Sequence, residues 1–348
     1  MYDFFFLVSG ENLTLPCAEI KAILASEGVK FHVLEERPQI LRISADKESI
    51  EKVKLRSAML KVCGLELYNC GADINAIISC ANETDFARFI SEKETFAVRI
   101  IRIEGSARQI SRTYLEGRIG EIILKKVEGA KVDLTAPQKI FFGILASDRF
   151  IFGLKLADVK PKSFEERCPK RRLFTHATTM PPKLARCMVN LAQPRPGSLI
   201  LDPFCGTGSI LIEAGLIGCQ VLGFDVKRYM VRGCGKNLTS FGIKPNGLCV
   251  SDARLIPLRN ETVDCIVTDP PYGTASSTIG LTLREVLDRF FASASRVIRK
   301  GGRICLAAPK TINVKMIGEK SGFTLLESHL IHVHRRLTRE IAVFQLTN

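Results

Sequence analysis

The apolar, strand-like run Val263 to Thr268 stops at Asp269-Pro270-Pro271-Tyr272-Gly273. Two successive prolines have no backbone N–H and a fixed φ, so neither a central strand nor a helix interior continues through them. The chain has to turn here, with its carbonyls held toward a ligand instead of being consumed by local hydrogen bonds. Asp269 and the Pro270 carbonyl then present two acceptors, and Tyr272 adds a flat face. This set suits an exocyclic amine of a nucleobase. Such an amine is a poor nucleophile because its lone pair is delocalised into the ring, and two acceptors on its protons relocalise that pair while a flipped base stacks on the tyrosine. The bland alternative for the string alone is a strand ending in a Pro-Pro turn.

Upstream, Leu199 to Leu211 spells a short buried strand, a glycine turn (Asp202-Pro203-Phe204-Cys205-Gly206-Thr207-Gly208) and the start of a helix. Gly206 and Gly208 let backbone pass close to a ligand, and the N–H groups that open the helix favour a negative group. A pyrophosphate fingerprint requires Gly or Ala three residues after the second glycine; position 211 is Leu, which argues against NAD and FAD. Asp202 would repel a pyrophosphate but can bind the α-ammonium of S-adenosylmethionine. The next strand, Gln220 to Phe224, ends in Asp225, placed for ribose hydroxyls. A third, Gly247 to Ser251, ends in Asp252-Ala253, placed for the adenine amine.

These residues together resemble the class I S-adenosylmethionine-dependent methyltransferases, in the amino-methylating branch where Asp-Pro-Phe-Cys-Gly-Thr-Gly is followed by Asp-Pro-Pro-Tyr. The resemblance implies an α/β, Rossmann-like domain with a mostly parallel seven-stranded sheet. It implies that Asp202, Gly206, Thr207 and Gly208 hold the methionine moiety, Asp225 the ribose, Asp252 and Ala253 the adenine, and Asp269, Pro270, Pro271 and Tyr272 the target base. Members of this branch also close the donor pocket with a segment ahead of the first strand, here Phe174 to Met180. His176 within it is either a pocket residue or a satisfied structural histidine.

A chain of 348 residues with 46% hydrophobic content can bury more than one core, so two or three domains are expected. The net charge of +14 points to an anionic partner, most simply nucleic acid. The longest apolar stretch, Ile140 to Ala157, is broken by Asp148-Arg149 and predicts a hairpin, not a membrane span. No basic region opens the N-terminus, so a cytoplasmic protein is expected. Of the twelve cysteines no two are spaced as CxxC, and Cys249, Cys265 and Cys305 sit in apolar runs as small core residues. Cys205 has a second reading, a nucleophile for carbon methylation of a pyrimidine, which the Asp in the base-binding turn disfavours. His332 and His334 share a strand face without a third ligand nearby, so no metal is expected.

The N-terminal half alternates short strands and helices. Residues 1–60 predict a ferredoxin-like α+β unit that ends in a helix from Lys47 to Leu60. Residues 61–157 predict a second unit, where Thr95-Phe96-Ala97-Val98-Arg99, Leu115 to Gly120 and Val132-Asp133-Leu134 resemble the THUMP RNA-binding domain. Residues 158–173 form a charged linker, whose run Lys160 to Arg172 carries six basic and two acidic side chains, and in which Lys170, Arg171 and Arg172 are candidates for RNA phosphates. The methyltransferase domain covers 174–348. Its helix Leu283 to Arg299 carries a buried stripe of Leu283, Val286, Leu287, Phe290, Ala294, Val297 and Ile298, and ends at Gly301-Gly302. A terminal hairpin, Phe323 to His334 and Glu340 to Leu346, would turn Arg335, Arg336 and Arg339 toward the RNA.

Over nearly the whole chain this organisation resembles the archaeal tRNA guanosine-10 methyltransferases. That resemblance implies transfer from S-adenosylmethionine to the 2-amino group of a guanosine in tRNA, giving 2-methyl- or 2,2-dimethylguanosine. Open alternatives are a THUMP-containing enzyme for another tRNA position or ribosomal RNA, a DNA adenine methyltransferase, and a non-catalytic, donor-sensing RNA-binding protein. The third strand, Gly247 to Ser251, would lie at the sheet edge with no charge or proline to guard it. By resemblance, a small zinc-binding activator protein could add a strand at Leu248–Val250.

Overall fold

The computed structural model describes residues 1–103, 107–158, 162–272, 281–334 and 337–347. The chain begins with β1 (Tyr2–Val8), α1 (Leu15–Ser26), β2 (Phe31–Arg37), β3 (Ile40–Ala45) and α2 (Ser49–Arg56). It continues through β4 (Leu60–Gly71), α3 (Ile74–Glu83), β5 (Thr95–Arg102), α4 (Arg112–Lys126), β6 (Lys131–Val132), β7 (Lys139–Leu145) and β8 (Arg149–Asp158). Next come α5 (Lys162–Glu166), α6 (Pro182–Leu191), β9 (Leu199–Asp202), α7 (Ser209–Leu216), β10 (Gln220–Asp225), α8 (Arg228–Ser240) and β11 (Gly247–Val250). The last elements are β12 (Val263–Thr268), α9 (Leu283–Val297), β13 (Ile298–Pro309), α10 (Val314–Lys320), β14 (Phe323–His334) and β15 (Leu337–Leu346).

Two compact units share these elements. The first comprises Met1–Gly10, Val29–Lys54 and Leu60–Val159, and the second Glu11–Gly28, Leu55–Met59 and Lys160–Asn348. In the first, a single eight-stranded sheet runs β2-β3-β1-β4-β8-β7-β5-β6. The expected boundary at residue 60 is not a break in this sheet. The predicted helix stops at Arg56, and Leu60 opens β4, which pairs antiparallel with β1 on one side and β8 on the other. Ile140 to Ala157 folds as the expected hairpin, β7 against β8. No helix among the described residues is long and apolar enough to cross a membrane.

The second unit holds a seven-stranded sheet in the order β11-β10-β9-β12-β13-β15-β14, parallel except that β15 runs antiparallel to β13 and β14. From β9 the order moves to β10 and β11 on one side and to β12 on the other, so a crevice opens at the carboxyl ends of β9 and β12. Helix α9 covers one face of the sheet. Its Leu287, Phe290, Ala294 and Val297 are fully buried beside Phe291, each large side chain contributing roughly 1.5–3 kcal/mol. The helix is started by a capping box, in which Thr282 Oγ1 accepts from Glu285 N and Glu285 Oε2 accepts from Thr282 N. It ends at Val297, earlier than Gly301 predicts, because the chain passes directly into β13; Gly301, at φ 73°, lies inside that strand.

This unit also takes in residues from the start of the chain. Glu19 of α1 is fully buried and accepts from Ala58 N, Met59 N, Ser57 Oγ and Asn190 Nδ2 of α6. The charged stretch before residue 173 is folded too. Arg167 and Arg186 both pair with Glu213 of α7, itself 0% exposed, at 2.8 and 2.9 Å.

Candidate active site

The crevice is a cleft of about 820 Å³. Nearly every residue proposed for donor and base lines it: His176, Asp202, Gly206, Thr207, Asp225, Asp252, Ala253, Asp269, Pro270, Pro271 and Tyr272, joined by Arg339, which was expected to face the RNA. Gly208 stands one step behind, as the N-cap of α7 in a left-handed conformation, and a Cβ there would meet Cys234 Sγ at 2.7 Å. Gly206 also has positive φ, 50°, so both turn glycines are required by backbone geometry. Gly273 lies outside the described residues.

The donor side is held by main-chain donors together with the side chains of Thr268 and Arg254. Asp202, 2% exposed, accepts from Phe204 N at 3.1 Å and Thr268 Oγ1 at 2.7 Å. Burial pushes its carboxyl up to about 7 against those two hydrogen bonds. Asp225 Oδ2 accepts from Gly206 N (3.1 Å) and Oδ1 from Lys227 N (2.8 Å), leaving lone pairs on both oxygens for hydroxyls. Asp252 has a side-chain partner of its own. Its carboxylate is clasped by the guanidinium of Arg254, with Nε at 2.9 and 2.8 Å from the two oxygens, and that contact holds it below the usual range.

The segment 174–180 is stitched to the turn through a residue that the sequence did not suggest. Asn237 of α8, fully buried, accepts from Phe174 N (2.9 Å) and donates to Phe174 O (2.7 Å) and Thr207 O (2.9 Å). Thr207 Oγ1 lies 3.3 Å from Thr179 Oγ1, and Thr179 Oγ1 accepts from His176 N. His176 Nδ1 contacts Thr178 Oγ1 at 2.9 Å, so this histidine both lines the cleft and has a local partner. The donor set fits S-adenosylmethionine: a buried acid for an ammonium, a second acid for a diol, and a close-packed glycine turn between them.

On the base side, Tyr272 donates its hydroxyl to Asp269 Oδ1, and Arg339 Nη2 lies 3.6 Å from Asp269 Oδ2. The Arg339 guanidinium also sits 5.1 Å from the Tyr272 ring centroid. Burial raises the Asp269 carboxyl, while Arg339 and the Tyr272 hydroxyl oppose the rise.

Two expectations need correction, those for Arg172 and Cys249. Arg172 is 7% exposed, and its Nη1 donates to Ser209 Oγ at 2.6 Å, so it braces the donor turn and is no surface contact for RNA; Lys170 and Arg171 are exposed. Arg339 belongs to the cleft, and Arg335 and Arg336 lie outside the described residues. Cys249 is exposed on the edge strand, not buried, whereas Cys205 is buried beside Cys234 with its thiol raised well above the ordinary value, by the hydrogen bond to Cys234 and by burial, and is no nucleophile.

An RMKL-like methyltransferase-domain family model matches residues 169–341, and a DNA methylase model matches 92–235, a span that stops short of Asp269. A tRNA (guanine(10)-N2)-dimethyltransferase of Methanothermobacter thermautotrophicus is 40% identical over 97% of this chain and 98% of its own. The Pyrococcus abyssi protein of the same name is 32% identical over 94% and 95%. Among solved structures, TrmN from Thermus thermophilus shares the fold with a TM-score of 0.56 at 20% identity, over 99% of this chain and all of that one.

Proposed function

This chain belongs to the archaeal tRNA (guanine(10)-N2)-dimethyltransferase family, and from that premise we propose that it carries the modification through to 2,2-dimethylguanosine. It is an S-adenosylmethionine-dependent tRNA methyltransferase that acts on the 2-amino group of guanine 10. The observation that carries this reading is the meeting of Asp269-Pro270-Pro271-Tyr272 with Asp202, Asp225 and Asp252 around one cleft. Asp202 holds the donor's ammonium, Asp225 its ribose hydroxyls, and Asp252 with Ala253 its adenine. S-adenosylmethionine supplies a methyl that is already electrophilic, so the transfer requires no metal as Lewis acid. The Asp269 carboxylate and the Pro270 carbonyl accept the amine protons and draw the lone pair out of ring conjugation. Asp269, whose proton affinity is raised by burial, then takes the proton that the amine gives up. Monomethylated guanine still has one amine proton for Asp269, which is why a second transfer is open to the same residues.

The eight-stranded unit is proposed to act as a THUMP-type grip on the tRNA 3′ end that sets the distance to the target. Exposed Arg108, Arg112, Lys125 and Lys131 support it. Val250 and Cys249, exposed on the free edge of β11, support addition of a strand by a small zinc-binding activator at Leu248–Val250. Incubating the full chain with tRNA transcript and labelled donor, followed by mass spectrometry of nucleosides, tests the main reading. Dimethylguanosine at position 10 is expected; label on another base would overturn it. Val250→Lys should abolish co-purification of a small partner from the native host, and a wild-type chain that brings none down refutes the activator.

A further inference from the structure

Arg339 is placed in β15 opposite Pro309 of β13 and Ile331 of β14, and its side chain is 16% exposed. The guanidinium lies against the Tyr272 ring and beside Asp269, while its Nε is buried with no hydrogen-bond partner among the described residues. A guanidinium N–H held dry and unpaired beside the base-binding carboxylate is uncommon, since buried donors in folded proteins almost always have an acceptor. The described residues have none to give it, but an incoming nucleotide is rich in acceptors. Asp269 in turn has both oxygens occupied by side chains, Tyr272 on Oδ1 and Arg339 on Oδ2.

We propose that Arg339 is the positioning residue of the base site: it keeps the Asp269 carboxylate charged and oriented for the target amine, and its Nε binds an acceptor of the target nucleotide. This rests on the reading of Asp269 as the amine acceptor. Arg339 opposes the rise that burial imposes on Asp269, so its removal leaves the carboxyl protonated over a wider range of pH. The other titratable groups around the cleft are Tyr272, Asp202, Cys205, Asp225, Asp252, Lys227, Arg254, His176 and His334. Of these Asp202 is pushed up to about 7 by burial, with Asp269 and Asp225 adding to the rise, and its own protonation is removed from the comparison by saturating donor.

Single-turnover transfer by the full chain on tRNA, at saturating S-adenosylmethionine across pH, separates the two roles. Arg339→Ala should move the acid limb to higher pH and slow transfer roughly 10²-fold near neutrality, with donor affinity and melting temperature unchanged. Arg339→Lys keeps the charge but lacks Nε, so it should keep the wild-type limb and raise KM for tRNA several-fold. Guanidinium ion added to Arg339→Ala should restore the limb and not the KM. An unmoved limb in Arg339→Ala, or activity lost in step with donor affinity or stability, overturns the proposal. Wild type that is inactive on tRNA would instead break the reading of Asp269 on which it rests.

Discussion

The two halves of the cleft hold their acids by different means. On the donor half, Asp225 is fixed by the backbone N–H groups of Gly206 and Lys227, Asp202 by Phe204 N together with the Thr268 hydroxyl, and only Asp252 by a guanidinium, that of the nearby Arg254. On the base half, Asp269 is fixed by two side chains, Tyr272 in its own turn and Arg339 from the last strand. Backbone donors come with the turn and survive most substitutions. Side-chain partners can be exchanged one at a time, so Asp269, held by side chains alone among the described residues, is where charge and specificity are adjustable.

Replacing the central acid of each half is the strongest way to break this comparison. Asp269→Ala should lower transfer by about 10³-fold or more, as loss of a preorganised polar group at the reacting centre does, with donor affinity near wild type. Asp225→Ala should do the reverse, costing about 1.5–3 kcal/mol of donor binding through lost hydrogen bonds to a charged group and freeing Gly206 N from its acceptor. Calorimetric titration with S-adenosylmethionine beside a labelled-transfer assay reads both. If the first variant loses donor affinity and the second keeps it, the halves have been assigned the wrong way round.

This difference in holding also decides what was legible in the sequence. The donor half was readable because acid, turn and helix N-terminus lie within a few residues, and each acid marks a strand end: Asp202 at β9, Asp225 at β10, and Asp252 just past β11. The buried stripe of α9 was readable from its period. Contacts made by side chains between distant segments were not: Asn237 with Phe174, Arg339 with Asp269, Glu19 with Asn190. Arg172 looked like a surface cation because a charge run gives no sign of burial. Strand β4 was missed because the helical pattern before it ran on to Leu60, and only its pairing with β1 and β8 settles the matter.

A smaller effect sharpens the comparison from within the donor half. Asn237→Ala removes an amide that serves Phe174 N, Phe174 O and Thr207 O together, all away from water. The expected cost is about 3 kcal/mol of stability, or roughly 5–10 °C in Tm, with weakened donor binding because the closing segment loses its anchor. Transfer at saturating donor should stay near wild type. A fall in that rate with Tm unchanged would mean that Asn237 reaches the base half, against the separation drawn here.

The smallest effect expected is one of pH. Asp202 is pushed up to about 7 by burial, and the group it is read to bind is an ammonium. The donor therefore pairs with the ionised carboxylate. Above pH 7 that form is already present and affinity is flat; as pH falls through 7 the acid takes a proton that binding must expel, so affinity declines, by roughly tenfold at pH 6. Titrations of the full chain with S-adenosylmethionine in buffers of different ionisation enthalpy should show about one proton released per donor bound near pH 6 and almost none at pH 8. Asp202→Asn should bind weakly at every pH with no proton released. Because the Asp269 charge adds to the rise of Asp202, Arg339→Ala, which leaves Asp269 protonated over a wider range, should move this binding profile slightly to lower pH while it moves the profile for transfer to higher pH. A binding profile that moves to higher pH together with transfer would show that the two halves titrate as one site.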